Sequence, residues 1–189
     1  GSAYGGGVEV DINNNGYLDL VFGGLAPNPV YIEDAEGNMV ETDKATKILL
    51  FNPDTKTYNE LTTNIVNANR ANFIAHDFNN DGIMDLLIAD HSRDVFYAPG
   101  IYEGVGDGTF TKANMVFNDT EYQFRPVTVN AADFNNDGLV DIVAIGYESV
   151  DGVVTNHSAV LINKGSYNFD VTNGELLGDY QLALVTVKV

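Results

Sequence analysis

Three nine-residue segments concentrate the chemistry in this chain: DINNNGYLD from Asp11, DFNNDGIMD from Asp77 and DFNNDGLVD from Asp133. In each, positions one, three, five and nine are Asp or Asn and position six is Gly. Short oxygen-bearing side chains spaced two apart on a tight turn suit a hard cation, because calcium takes six to eight oxygen ligands in flexible geometry. Asp77, Asn79, Asp81 and Asp85 are the side-chain ligands expected of the second loop, with the Ile83 carbonyl. The third supplies Asp133, Asn135, Asp137, Asp141 and the Leu139 carbonyl; the first supplies Asp11, Asn13, Asn15, Asp19 and the Tyr17 carbonyl. Gly16, Gly82 and Gly138 fall where the chain must turn sharply. Up to three calcium ions are therefore expected, with water completing each shell.

Two other readings of these loops are weaker. An EF-hand needs a bidentate Glu at position twelve, where this chain has Phe22, Ile88 and Ala144. A plain hairpin turn needs the Gly and one Asn, but it does not need Asp at both ends of nine residues three times over. The first loop carries two carboxylates against three in each of the others, Asn15 standing where they have Asp. Site one is expected to bind most weakly.

The elements that must hold these loops are strands. Each loop runs into an apolar segment, LDLVFGG, MDLLIADH or VDIVAIGY, and these short runs rich in Val, Ile and Leu suit buried strands rather than an exiting helix. In the third unit RPVTVNAADF, LVDIVAIGY, HSAVLINK and YNFDVT read as four strands, the acidic loop joining the first two. ILLFNPDTKTYNEL and IYEGVGDGTFTKA each read as a third strand, a turn and a fourth. The loops begin 66 and 56 residues apart, room for one four-stranded sheet per repeat. The expected fold is all-β: β-propeller blades of four antiparallel strands, about three blades plus one extra strand, a fragment or part of a larger propeller. Residues 1–189 form one partial propeller domain, with units near 4–66, 67–123 and 124–174. Residues 175–189 read as the start of a further blade. A closed ring usually takes four to eight blades, so open blade edges offer a route to self-association.

Composition narrows the function classes. The chain has 189 residues, 44% hydrophobic and 11% aromatic, enough to bury a core. Nine Lys and Arg face 27 Asp and Glu, a formal charge of −18; that repels phosphate backbones and anionic membranes, so no nucleic-acid partner is expected. There is no Cys, hence no disulfide or thiolate metal site. No window approaches eighteen consecutive apolar residues, so no membrane insertion is expected.

The motifs together resemble the FG-GAP or VCBS repeat family, the propeller repeat also found in the head of integrin α subunits. Its loop pattern, Asp-x-Asx-x-Asx-Gly-x-x-Asp followed by an apolar strand, is matched three times. VFGGLAP from Val21 to Pro27 is similar to the family's glycine-alanine-proline segment, and GDGTF from Gly106 to Phe110 to its later hairpin. The resemblance implies that each loop lies between the first two strands of a blade and binds calcium through the residues named above. The chain departs from the family at Asn15, in the missing glycine-alanine-proline segments after the second and third loops, and in blade count.

That resemblance implies a calcium-binding, non-catalytic recognition module of an extracellular or cell-surface protein, with glycan or protein as the partner. The competing readings are the propeller portion of a carbohydrate-active enzyme such as a polysaccharide lyase, and a structural adhesion spacer. Catalytic candidates are few. Asp90, His91 and Ser92 are consecutive and alternate in direction on a strand, so they do not converge as a triad; His76 is expected to pack or bond beside its loop. Phe78, Phe134 and Phe169 fit core positions, whereas Tyr97, Tyr102 and Tyr122 are candidates for exposed sugar-stacking faces. Asn118 and Asn156 head glycosylation sequons.

Overall fold

The computed structural model describes residues 6–23, 31–33, 39–41, 46–62, 65, 71–90, 100–118, 124–150 and 153–173. These contain fifteen strands: β1 (Gly6–Val10), β2 (Asp19–Gly23), β3 (Tyr31–Glu33), β4 (Met39–Glu41), β5 (Lys47–Asn52), β6 (Thr57–Leu61), β7 (Ala71–His76), β8 (Asp85–Asp90), β9 (Gly100–Gly104), β10 (Phe110–Lys112), β11 (Val116–Phe117), β12 (Phe124–Ala132), β13 (Asp141–Val150), β14 (Val153–Asn163) and β15 (Asn168–Asn173). There is no helix among the described residues, hence none long and apolar enough to cross a membrane.

Three sheets repeat one plan. β1-β2-β5-β6, β7-β8-β9-β10 and β12-β13-β14-β15 each lay four antiparallel strands side by side in chain order. Each acidic segment links the first strand to the second. The architecture is the expected all-β array of propeller-like blades, and the described sheets do not close a ring. Two features depart from four strands per unit. A separate hairpin, β3 with β4, is inserted between β2 and β5 of the first blade. Val116 and Phe117 of β11 pair in parallel with Asn168 and Phe169 of β15, giving the third sheet a fifth strand donated by the segment before it. In β12 the register slips between Pro126 and Thr128, where proline has no N–H to give to a ladder.

Blades pack face to face because their second strands are apolar on both sides. Successive side chains on a strand point oppositely. Leu86 and Ile88 of β8 join Val10, Ile12, Val21 and Ile48 of blade one in one core. Leu87 and Ala89, the residues between, join Val129, Ile142, Ala144 and Leu161 of blade three in the other. Accordingly β1 lies against β7, and β12 against both β7 and β8. Each fully buried Leu or Ile here contributes about 1.5–3 kcal/mol of transfer free energy, so the central blade holds the other two.

Two aromatic expectations are corrected by this packing. Tyr102 is not an exposed face but is 5% exposed: it lies opposite Leu86 in the β8–β9 ladder and so points into the core shared with blade one. Phe134 is not a core residue but is 40% exposed. It occupies loop position two, where Ile12 and Phe78 are buried within the cores that join each blade to the one that follows it. Blade three has no described sheet on that side. Phe78 and Phe169 are buried as expected. Tyr97 and Tyr122 lie outside the described residues, as do His91, Ser92 and residues 175–189.

Candidate metal centre

The three loops are built by one hydrogen-bond pattern. The carboxylate at position one accepts the amides of positions five and six: Asn15 N–H and Gly16 N–H on Asp11 at 3.0 and 2.7 Å, Asp81 and Gly82 on Asp77 at 3.0 and 2.7 Å, Asp137 and Gly138 on Asp133 at 3.1 and 2.9 Å. The side-chain oxygen of position three accepts the position-five amide, and that of position five accepts the position-seven amide, from Tyr17, Ile83 or Leu139 at 2.8–2.9 Å. Curling the chain this tightly takes two left-handed residues. Gly16, Gly82 and Gly138 have φ of 86°, 87° and 89°, and Asn14, Asn80 and Asn136 at position four have φ of 55°, 65° and 59°. Asn is the side-chain residue that tolerates this region best, which is the physical reason position four is Asn in every copy.

This geometry gathers the tips of positions one, three and five on the exposed side of each loop. Asn79 Nδ2 stands 2.8 Å from Asp81 Oδ2, and Asn135 Nδ2 stands 2.9 Å from Asp137 Oδ2. The Leu139 backbone amide, and after it the Asn135 side-chain amide, hold the Asp137 carboxyl below its ordinary range. Among the described residues no three Asp, Glu or His side chains form a metal-holding cluster; the gathered tips mix carboxylate with amide oxygen. An all-oxygen set of short side chains on one loop fits a hard cation of variable coordination.

Position nine plays a different part. Asp19, Asp85 and Asp141 are all 0% exposed. Each places one oxygen on the amide of loop position two (Ile12, Phe78 or Phe134) at 3.0–3.2 Å, and the other on an amide of, or at the end of, the third strand (Phe51, Gly104 or Asn163) at 2.8–2.9 Å. The carboxylate therefore staples the loop to the blade; these bonds leave one lone pair on Oδ1 of each, and a second on Oδ2 of Asp19 and of Asp141. Burial raises the proton affinity of Asp19 despite the Phe51 and Ile12 amides. Burial pushes Asp85 to about 6, against the lowering effect of Gly104, Phe78 and Tyr167. Gly104 must be glycine for this contact, since a Cβ there would stand 2.3 Å from the Met84 carbonyl oxygen.

Residues outside the motif also reach these loops. Glu103 on β9 stands 3.2 Å from Asn79 Nδ2 through Oε1, placing a fourth acid beside loop two. From blade three, the buried Asn163 donates to the Phe78 carbonyl at 2.8 Å and the Val140 carbonyl at 3.0 Å, and the Tyr167 hydroxyl donates to Asp85 Oδ2 at 3.2 Å. None of these has a local sequence signal, because each is brought in by a strand or blade far along the chain. His76 is half-buried with its ring edge-on to Phe78, centroids 6.1 Å apart, and burial lowers its pKa; it packs beside the loop as expected. Asn118 uses Oδ1 to accept the Val171 amide at 2.8 Å.

Blades of four antiparallel strands, each with an acidic nine-residue loop between its first two strands, define a propeller-repeat protein. Residues 77–144 match the FG-GAP-like repeat, a span covering the second loop, β8 to β12 and the third loop. No curated protein matches the chain. Among solved structures, the chain is similar at 14% identity and a TM-score of 0.41 to an Agrocybe aegerita lectin described as recognising non-reducing terminal N-acetylglucosamine. The match covers 89% of this chain and 52% of that one, so the chain spans about half the lectin's length.

Proposed function

We propose that this chain is a calcium-binding, non-catalytic recognition module carried by an extracellular or cell-surface protein, in which the cation fixes the loops and the exposed surface contacts glycan or protein. The observation that supports it is the threefold repetition of one loop geometry: the same six-part hydrogen-bond pattern, the same two left-handed residues and Asp or Asn at positions one, three, five and nine. One oxygen of each side chain at positions three and five closes the turn; the second carboxylate oxygen of Asp81 and Asp137 accepts no backbone amide. Asp11, Asn13, Asn15, Asp77, Asn79, Asp81, Asp133, Asn135 and Asp137 would hold the ions by side chain, with the Tyr17, Ile83 and Leu139 carbonyls, and Asp19, Asp85 and Asp141 through the lone pair left on Oδ1. Bound calcium supplies positive charge that cancels mutual repulsion within a chain of formal charge −18.

Calorimetric titration of the chain and of Asp11→Ala, Asp77→Ala and Asp133→Ala tests the metal reading. Three binding events are expected, one lost in each variant, with the weakest lost in Asp11→Ala. Absence of calcium heat, or unchanged stoichiometry in Asp77→Ala and Asp133→Ala, refutes it. A glycan and surface-protein array probed with calcium and with chelator tests recognition; no calcium-dependent ligand would leave a structural spacer as the better description.

A further inference from the structure

The turns between the third and fourth strands of blades two and three are closed by the same backbone hydrogen bond. Val105 N–H bonds the Thr109 carbonyl at 3.0 Å and Lys164 N–H bonds the Asn168 carbonyl at 2.8 Å, so Gly104, Gly106 and Gly108 correspond to Asn163, Gly165 and Tyr167. Each turn packs on the preceding blade, but with different chemistry. Gly108, at φ 90°, presents no side chain, and a Cβ there would meet Leu50 of blade one at 3.2 Å. Tyr167 stands in the same left-handed region at φ 60° and is 7% exposed. A bulky residue held at positive φ is strained and persists only where its surroundings over-determine it. Here its hydroxyl meets Asp85 Oδ2, the oxygen that also takes the Phe78 amide. Asn163, 0% exposed, takes the carbonyl of that same Phe78. Blade three thus grips both ends of the staple that closes loop two, whereas the corresponding turn of blade two meets blade one with bare glycine.

We infer that Tyr167 and Asn163 are positioning residues for cation binding at loop two, so that occupancy of that loop and seating of blade three are coupled. The inference rests on the calcium reading of the loops. With Phe78 N–H and Tyr167 O–H on Oδ2 and Gly104 N–H on Oδ1, Asp85 has a single lone pair free, on Oδ1. The hydroxyl fixes the carboxylate in the orientation that presents that lone pair to the loop. Linkage makes the effect reciprocal: a cation that favours the fixed carboxylate also favours the blade that fixes it.

The test is site-resolved calcium titration by NMR of the intact chain, using the amide resonances of Gly16, Gly82 and Gly138 to report the three loops separately. Two variants are compared with the unsubstituted chain: Tyr167→Phe, which removes only the hydroxyl, and Tyr167→Gly, which relieves the left-handed backbone and reproduces the residue found at the same place in blade two. The Gly82 midpoint is expected to move to roughly fivefold higher calcium or more in both variants, with Gly16 and Gly138 unmoved. A merely structural role for Tyr167 would shift all three or none. Hydrogen exchange gives the reciprocal readout: calcium should slow exchange in β14 and β15, and part of that protection should vanish in Asp77→Ala. Equal Gly82 midpoints in all three proteins overturn the coupling while leaving the calcium reading intact. A Gly82 resonance indifferent to calcium in the unsubstituted chain sinks the calcium reading at loop two and the coupling with it.

Discussion

Position nine and position one of the same loop are both Asp, yet the geometry assigns them different work, and a chelator separates the two. Asp85→Ala orphans three buried donors, the amides of Phe78 and Gly104 and the hydroxyl of Tyr167. Each orphaned donor costs about 1–3 kcal/mol, roughly 6 kcal/mol together. Removing a carboxylate that burial has pushed up to about 6 returns part of this, about 2 kcal/mol. The balance is roughly 4 kcal/mol of destabilisation that is independent of metal. Asp77→Ala frees only the exposed amide of Gly82, which water can solvate, while that of Asp81 keeps Asn79 Oδ1, and it is expected to cost about 1 kcal/mol, as for loss of a helix cap. Urea denaturation of both variants in EGTA and in excess calcium measures the difference. In calcium each should lose in addition the linkage term of one ion, about 0.4–1.4 kcal/mol at one to ten times the dissociation constant. If Asp77→Ala costs as much as Asp85→Ala in EGTA, the division between a buried ninth residue that staples the loop to the blade and an exposed first residue is refuted.

The raised proton affinity of Asp85 gives a pH signature with a definite sign. Its folded-state value, about 6, exceeds the ordinary 3.8, so its contribution in chelator is fully present below about 3.8 and lost as pH rises through 6; His76, lowered by burial, works oppositely. The difference in melting temperature between the unsubstituted chain and Asp85→Asn, scanned from pH 4 to 7 in chelator, should therefore grow in favour of the unsubstituted chain on acidification, and a flat difference would refute the shift. Phe78→Ala is expected to cost about 3–5 kcal/mol as a core truncation, and Phe134→Ala less than about 1 kcal/mol. Equal costs in denaturant melts would mean that Phe134 is covered by another part of the chain or by a second copy.

The sequence by itself determined the local chemistry. The order strand, acidic loop, strand was legible because the Asp and Asn spacing, the Gly at position six and the apolar run after each loop lie within about fifteen residues of one another. Strand type followed from Val, Ile and Leu content, and four strands per unit from the turns between them. The Asn at position four is a local signal of its own, as the residue that tolerates a left-handed backbone. Tertiary structure decided which residues serve the loops from afar and which faces are covered. Glu103, Asn163 and Tyr167 reach loop two across strands or blades, contacts that no short-range pattern encodes. Tyr102 and Phe134 exchanged their expected places for one reason: burial of a blade residue depends on whether a neighbouring sheet stacks on its face, and alternation along a strand says which face a side chain takes but not what lies beyond it. For the same reason the burial of Asp19, Asp85 and Asp141 was not legible in their spacing, since only the third strand supplies the second amide that makes burying a carboxylate tolerable.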